Sequence, residues 1–265
     1  MKIIVSIAAF KGDLDTALRR LADIGVTTVD LITIGSWGLI SVDALIEKFD
    51  HEVARVQAAL KRYGMEAVSL NTAFSPQLFE REDAAANQAR LEQVTAVCRF
   101  MRAMDIKIGA HYPGYIADWK NDPEGVRADT LISLREIQEI AREEGVTLTP
   151  EIHFKTPFEH PDDARRLLKE IPGIPYTYEP SHFIVNNHDY QSTGDLLDGA
   201  VHCHMRTSAP GQIQAAPPAG LEALDWMMAR LKDRNYEGFV SIEYLPNADF
   251  DVIDAIQTIR DRYES

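Results

Sequence analysis

Carboxylate, imidazole and amide side chains recur at the ends of apolar, β-branched runs along this chain. Asn71, His111, Glu151, Glu179, His204 and Glu243 each close such a run, with His153 just past Glu151, His182 just past Glu179, and His202 two residues before His204. Carboxylates and imidazoles move protons near neutral pH, and together they bind divalent cations. A lone Glu after a strand is most often a cap or a surface residue, so the argument rests on the set. If the run ends converge, Glu151, Glu179 and Glu243 bring three like charges together beside His204 in a low-dielectric space, and a divalent cation relieves the repulsion. Three carboxylates and one imidazole suit Mn, Mg, Co or Zn. His202 and His204 share one face of their strand, and His204 is nearer its end. His204 is therefore the expected ligand, and His202 is expected as a buried histidine beneath it. Cys203 lies between them and points to the opposite face, as a core residue.

The elements that must bring these residues together are eight candidate strands: 3–8, 27–32, 66–71, 106–111, 146–151, 176–179, 200–204 and 239–243. Between them, apolar residues recur at helical spacing, as in Leu91, Val94, Val97 and Met101, or Leu131, Leu134, Ile137 and Ile140. Gly25, Gly64, Gly145 and Gly238 precede strands where a left-handed helix cap is expected. Strict alternation of strand and helix implies parallel strands joined by crossovers, and eight units in 265 residues fit a single α/β domain over residues 1–265, a (β/α)8 TIM barrel. A doubly wound open sheet would carry a glycine-rich phosphate loop after its first strand. None is present, so a nucleotide cofactor is not expected. The chemistry of such a barrel sits where strands lead into helices, which is where the polar residues above occur. The stretch 209–220 (APGQIQAAPPAG) reads as a long loop over the barrel mouth.

Composition removes other classes. With 45% hydrophobic and 26% charged residues the chain is an ordinary globular one. Its 27 Lys and Arg against 41 Asp and Glu give a net charge of -14, scattered without a basic patch, so nucleic acid is not an expected partner. The uncharged apolar stretch 31–42 is too short to span a bilayer, and no membrane association is expected. The N-terminus reads as a first strand rather than a leader, so the chain is expected to start at Met1. Cys98 and Cys203 are far apart and lack metal-type spacing, which favours a reducing, cytoplasmic location over a disulfide framework.

Four motifs, VTLTPEIH (Val146–His153), YEPSHF (Tyr178–Phe183), VHCHMR (Val201–Arg206) and GFVSIEY (Gly238–Tyr244), resemble in this order the xylose-isomerase-like barrel superfamily. The resemblance covers essentially the whole chain. It implies a metal held by Glu151, Glu179, His204 and Glu243, a substrate contact from His182, and proton transfer by the glutamates at 151 and 243, as in the family's epimerases. Two positions depart from the usual pattern. Glu179 stands where the DxxH segment normally has Asp, and the segment after the seventh strand, commonly HxHxKD, here has Arg206 and Thr207 in its last two places.

The expected function is a divalent-metal-dependent isomerase or epimerase of a small sugar, ketose or hydroxy-keto compound, working through an ene-diolate. An inosose-dehydratase-like lyase on the same site and a non-catalytic sugar-binding barrel are the alternatives. An endonuclease IV-like site would need further metal ligands and a basic groove. The expected partner is a small carbohydrate or polyol-derived substrate, and homo-oligomers are common among such barrels. Arg206 and the segment 212–214 read either as holding substrate hydroxyls or a phosphate, or, for Arg206, as a solvated loop residue. His111 reads as a substrate contact or a structural hydrogen-bond partner, and Trp37 and Phe74 as apolar cover or packing.

Overall fold

Apolar and polar residues alternate along the strands, and closure of the sheet sends them to two different environments. In the computed structural model, which describes residues 1–114 and 122–264, eight parallel strands run in the order β5-β4-β3-β2-β1-β8-β7-β6. They are β1 (Lys2–Ser6), β2 (Thr28–Ile32), β3 (Glu66–Ala73), β4 (Ile108–Tyr112), β5 (Thr147–Pro150), β6 (Thr177–Tyr178), β7 (His202–Met205) and β8 (Phe239–Ile242). The helices are α1 (Leu14–Ala22), α2 (Val42–Glu47), α3 (Phe49–Arg62), α4 (Ala84–Ala103), α5 (Pro123–Glu144), α6 (Pro161–Glu170), α7 (Ser181–Ile184), α8 (Gly194–Gly199), α9 (Leu221–Asp233) and α10 (Val252–Tyr263). This is the (β/α)8 TIM barrel that the alternation predicts.

The outer shell carries the apolar core. Val29, Leu31, Leu70, Leu148, Cys203, Val240 and Ile242 from the strands join Leu18, Val56, Val97, Ile137, Leu167, Leu224 and Met227 from the helices in one buried cluster. Each large apolar side chain buried there contributes about 1.5–3 kcal/mol relative to exposure. That shell leaves the barrel interior free to be polar. Ser6, Asp30, Ser69, Thr149, Thr177, His202, His204 and Ser241 are all buried, and hydroxyl contacts link strands through the middle.

Several element boundaries differ from the sequence reading. β1 ends at Ser6 rather than Ala8, because the Ser6 hydroxyl accepts from the Ala8 N–H at 3.2 Å and opens a 3-10 turn over Ile7–Ala9. β5 and β6 are shorter than expected. Pro150 has no N–H to give, and Pro175 and Pro180 bracket β6, so the ladder between them shrinks to one parallel bridge, Glu151 with Thr177. The Thr149 and Thr177 hydroxyls, 2.6 Å apart, reinforce the seam. Gly145 ends α5 at φ 72°, as expected of a left-handed cap. Gly238 does not cap α9, because Asn235 takes the left-handed position at φ 53° instead. Gly238 is needed for another reason: a Cβ there would collide with the Tyr236 hydroxyl.

The segment after β7 folds back over the barrel mouth. The Gly211 N–H donates to the Val185 carbonyl at 2.9 Å and the Ala215 N–H to the Thr207 carbonyl at 2.8 Å. Gly220, at φ 74°, closes the segment against the Ser208 backbone, where no side chain would fit. Among the described residues no helix is long and apolar enough to cross a membrane.

Candidate active site

Glu151, Glu179, His204 and Glu243 each offer one ligand atom, and these atoms all lie within 4.8 Å of one another at the C-terminal ends of the strands. Glu151 follows β5, Glu179 follows β6, His204 lies in β7 and Glu243 follows β8, so strand register alone brings together residues 92 positions apart. All four are buried. Nδ1 of His204 is 2.8 Å from Oε1 of Glu151 and 3.6 Å from Oε2 of Glu243. Nε2 of His182 is 3.2 Å from Oε2 of Glu179 and 3.5 Å from Oε1 of Glu151. The Asn71 amide donates to Oε1 of Glu243 from across the barrel.

Of the two sequence readings of Arg206, a substrate contact or a solvated loop residue, its burial excludes the second. It is only 2% exposed. Its Nε and Nη2 donate to the two oxygens of Glu179, each at 2.5 Å, and Nη2 also donates to Oε2 of Glu243 at 2.7 Å. The bidentate fork explains how a longer Glu is accommodated at position 179: the Arg206 guanidinium receives both of its oxygens. The cluster thus contains an internal cation that the argument from three like charges had not included.

The charges interact strongly. Burial lowers the affinity of His204 for a proton, but Glu243 and Glu151 outweigh it and raise the His204 pKa to about 10. His182 is raised as well, since Glu179 and Glu151 overcome its burial. Burial would raise Glu151 and Glu179, yet His204 and His182 pull the first well below the usual carboxylate range, and Arg206 and His182 pull the second below it. Glu243 behaves oppositely, because burial and the neighbouring carboxylates raise it despite His204 and Arg206. The donor set fits a divalent cation: three hard oxygens and one borderline nitrogen converge in a buried space.

Beside the cluster lies a cavity of about 340 Å³. That is near the lower end of the roughly 300–1,000 Å³ range of small-molecule sites. Glu151, His182, Arg206, Glu243, Asn71 and His153 line one part of it, and Ile34, Trp37, Ala73, Ile213 and Leu245 line another. Trp37 therefore faces the cavity, whereas Phe74 and His111 pack together, ring centroids 5.8 Å apart, outside its lining. His111 is fully buried, and burial lowers its pKa to about 4. In the segment 212–214 it is Ile213 that faces the cavity. The Gln214 amide instead bonds the Leu245 backbone in both directions, at 2.8 and 3.3 Å. His153, seen in the sequence but given no role there, packs against His182 with ring centroids 3.8 Å apart and the planes tilted by 39°.

The sequence matches the xylose isomerase-like TIM barrel family over residues 18–262. The chain belongs to that family. No curated protein matches the chain. Among solved structures, a D-tagatose 3-epimerase-like protein aligns with TM-score 0.78 at 17% identity, over 100% of this chain and 97% of its own. The probable 3-DHS dehydratase AsbF of Bacillus anthracis aligns with TM-score 0.73 at 13% identity, over 100% and 99%. The IOLI protein with a bound zinc atom aligns with TM-score 0.73 at 16% identity, over 98% and 96%. At these identities the likeness establishes the shared barrel, and members of this xylose isomerase-like family carry different chemistries on it.

Proposed function

We propose that this barrel is a divalent-metal-dependent isomerase or epimerase of a small keto-sugar or related hydroxy-keto compound. The observation that carries the reading is that Glu151 and Glu243, two of four converging ligand groups, both line the same small-molecule cavity. Glu151, Glu179, His204 and Glu243 would hold the cation, which when bound polarises a substrate carbonyl and acidifies the adjacent C–H. Glu151 follows β5 and Glu243 follows β8. One removes the proton, giving the ene-diolate of the substrate, and the other returns one. Return to the opposite face of the same carbon is epimerisation, and return to the neighbouring carbon is isomerisation. Arg206 and Asn71 fix the oxygens of Glu179 and Glu243 and limit their reorientation. His182, and Arg206 through its unpartnered Nη1, are the proposed donors to substrate oxygens. Trp37, Ile34 and Leu245 exclude water from one side.

The solved epimerase-like and zinc-containing structures support this reading, and the 3-DHS dehydratase supports a lyase as the second one, in which a β-hydroxyl leaves the same intermediate. A small carbohydrate is the proposed partner. The buried, unpaired Cys98 and Cys203 support a cytoplasmic placement. The test is incubation with Mn²⁺ and a panel of ketohexoses and inososes in D2O, followed by NMR. Deuterium at the carbon beside the carbonyl supports the reading, and the product separates epimer, isomer and dehydrated compound. No exchange across the panel by cation-loaded protein contradicts it.

A further inference from the structure

Ile34, Trp37, Ala73, Ile213 and Leu245 form an apolar part of the cavity wall, and each is only half-buried. Ile34 and Trp37 follow β2 and Ala73 ends β3, whereas the four ligand groups come from β5, β6, β7 and β8. In the order of the sheet, β1 and β4 separate β2 and β3 from those strands. The carboxylates and imidazoles therefore gather on one arc of the barrel mouth, and much of the apolar wall lies on another.

This wall is fixed, and its polar backbone groups are already engaged. The Ile34 carbonyl accepts from the Trp37 N–H and the Trp37 carbonyl from the Gly12 N–H, each at 3.0 Å. The Gln214 side chain takes up both the N–H and the carbonyl of Leu245, and the Thr207 hydroxyl donates to the Ala215 carbonyl at 2.5 Å. Gln214 is thus held against the backbone, and its neighbour Ile213 is presented to the cavity. Apart from the Trp37 indole N–H, the five side chains offer no donor or acceptor. A hydroxyl set against them gives up water without a partner, and a methyl group gains by burial. A phosphate has no site either. Among the described residues lining the cavity, Arg206 is the only Lys or Arg, and its Nε and Nη2 are bound to Glu179 and Glu243.

We propose that the substrate is an unphosphorylated deoxyketose: its carbonyl end faces Glu151 and Glu243, its terminal methyl lies on the wall of Ile34, Trp37, Ala73, Ile213 and Leu245, and Ile213 is a specificity-determining residue. The proposal rests on the proton-transfer reading of the site and narrows its substrate class. A hydrophobic wall discriminates against an added hydroxyl by about 10–100-fold, which sets the size of the expected preference.

The test uses the full wild-type chain with Mn²⁺ and measures kcat/KM for D- and L-ketohexoses, their 6-deoxy counterparts and their 6-phosphates, with inososes alongside. The best substrate should be a 6-deoxyketose, ahead of its parent ketohexose by about 10–100-fold and mainly through KM, and the 6-phosphates should be turned over least. A parent ketohexose, a 6-phosphate or an inosose as the best substrate overturns the proposal and leaves the proton-transfer reading standing. Absence of turnover across the whole panel overturns both. Ile213→Asn, which sets an amide into the wall, should narrow the wild-type preference several-fold in favour of the parent ketohexose. An equal change in kcat/KM for both sugars is what a purely structural role would give, and it overturns the assignment of Ile213.

Discussion

Oε1 of Glu151 and Nδ1 of His204 are 2.8 Å apart, so a carboxylate at the end of β5 and an imidazole from β7 meet over the barrel axis. The same carboxylate lies 3.5 Å from Nε2 of His182. Glu151 is thereby shared between the ligand cluster and the wall of the cavity, and this sharing couples cation binding to protonation.

His204 should make cation affinity depend on pH. Burial disfavours its charged form, but Glu243 and Glu151 raise its pKa to about 10, so it is an imidazolium at neutral pH until a cation displaces the proton. Affinity for Mn²⁺ should rise with pH, by about tenfold per unit for each proton displaced, until the pH approaches the His204 pKa. Calorimetry in buffers of different ionisation enthalpy counts the protons released. A pH-independent affinity between pH 6 and 9, with no proton release, would show that His204 is not a ligand.

Arg206→Met should destabilise the cation-free protein by about 3–5 kcal/mol, because it leaves Glu179 and Glu243 buried without the guanidinium that bonds both. Denaturant titration in a chelating buffer measures this. Adding Mn²⁺ should recover part of the loss. A cost under about 1 kcal/mol would mean that the fork on Glu179 does not support the site.

Cys98 and Cys203 are fully buried, and burial pushes both thiols up to about 12. Neither should react with a thiol reagent at pH 8 in the native protein, and both should react once it is unfolded. Rapid native labelling of either would contradict the packing of β7 or α4 described above.

The fold was legible because eight β-branched runs alternate with helical spacing, and glycines such as Gly25, Gly64 and Gly145 fall where helices stop. Glu151, Glu179, His204 and Glu243 were legible for a related reason: each sits at the end of its run, where a parallel barrel gathers its chemistry. The fork of Arg206 on Glu179 was not. An arginine two residues past His204 looks like a loop residue, and its burial depends on the segment after β7 folding back over the mouth. His111 closes its run as plainly as Glu151 does, yet it packs under Phe74, which a count of strand ends cannot distinguish. Asp30 was not singled out, although within TVDLI it is the one charged residue of its strand. Its bond to Ser241, 211 positions away, exists only once the barrel closes.

The central claim is that Glu151 and Glu243 move the proton beside the substrate carbonyl, and solvent deuterium wash-in by Glu151→Gln and Glu243→Gln tests it most directly. With Mn²⁺ and a ketose that wild type exchanges, each variant should lose at least about 100-fold in exchange rate, with ketose binding by calorimetry weakened far less. Near-full exchange by either variant would contradict the account.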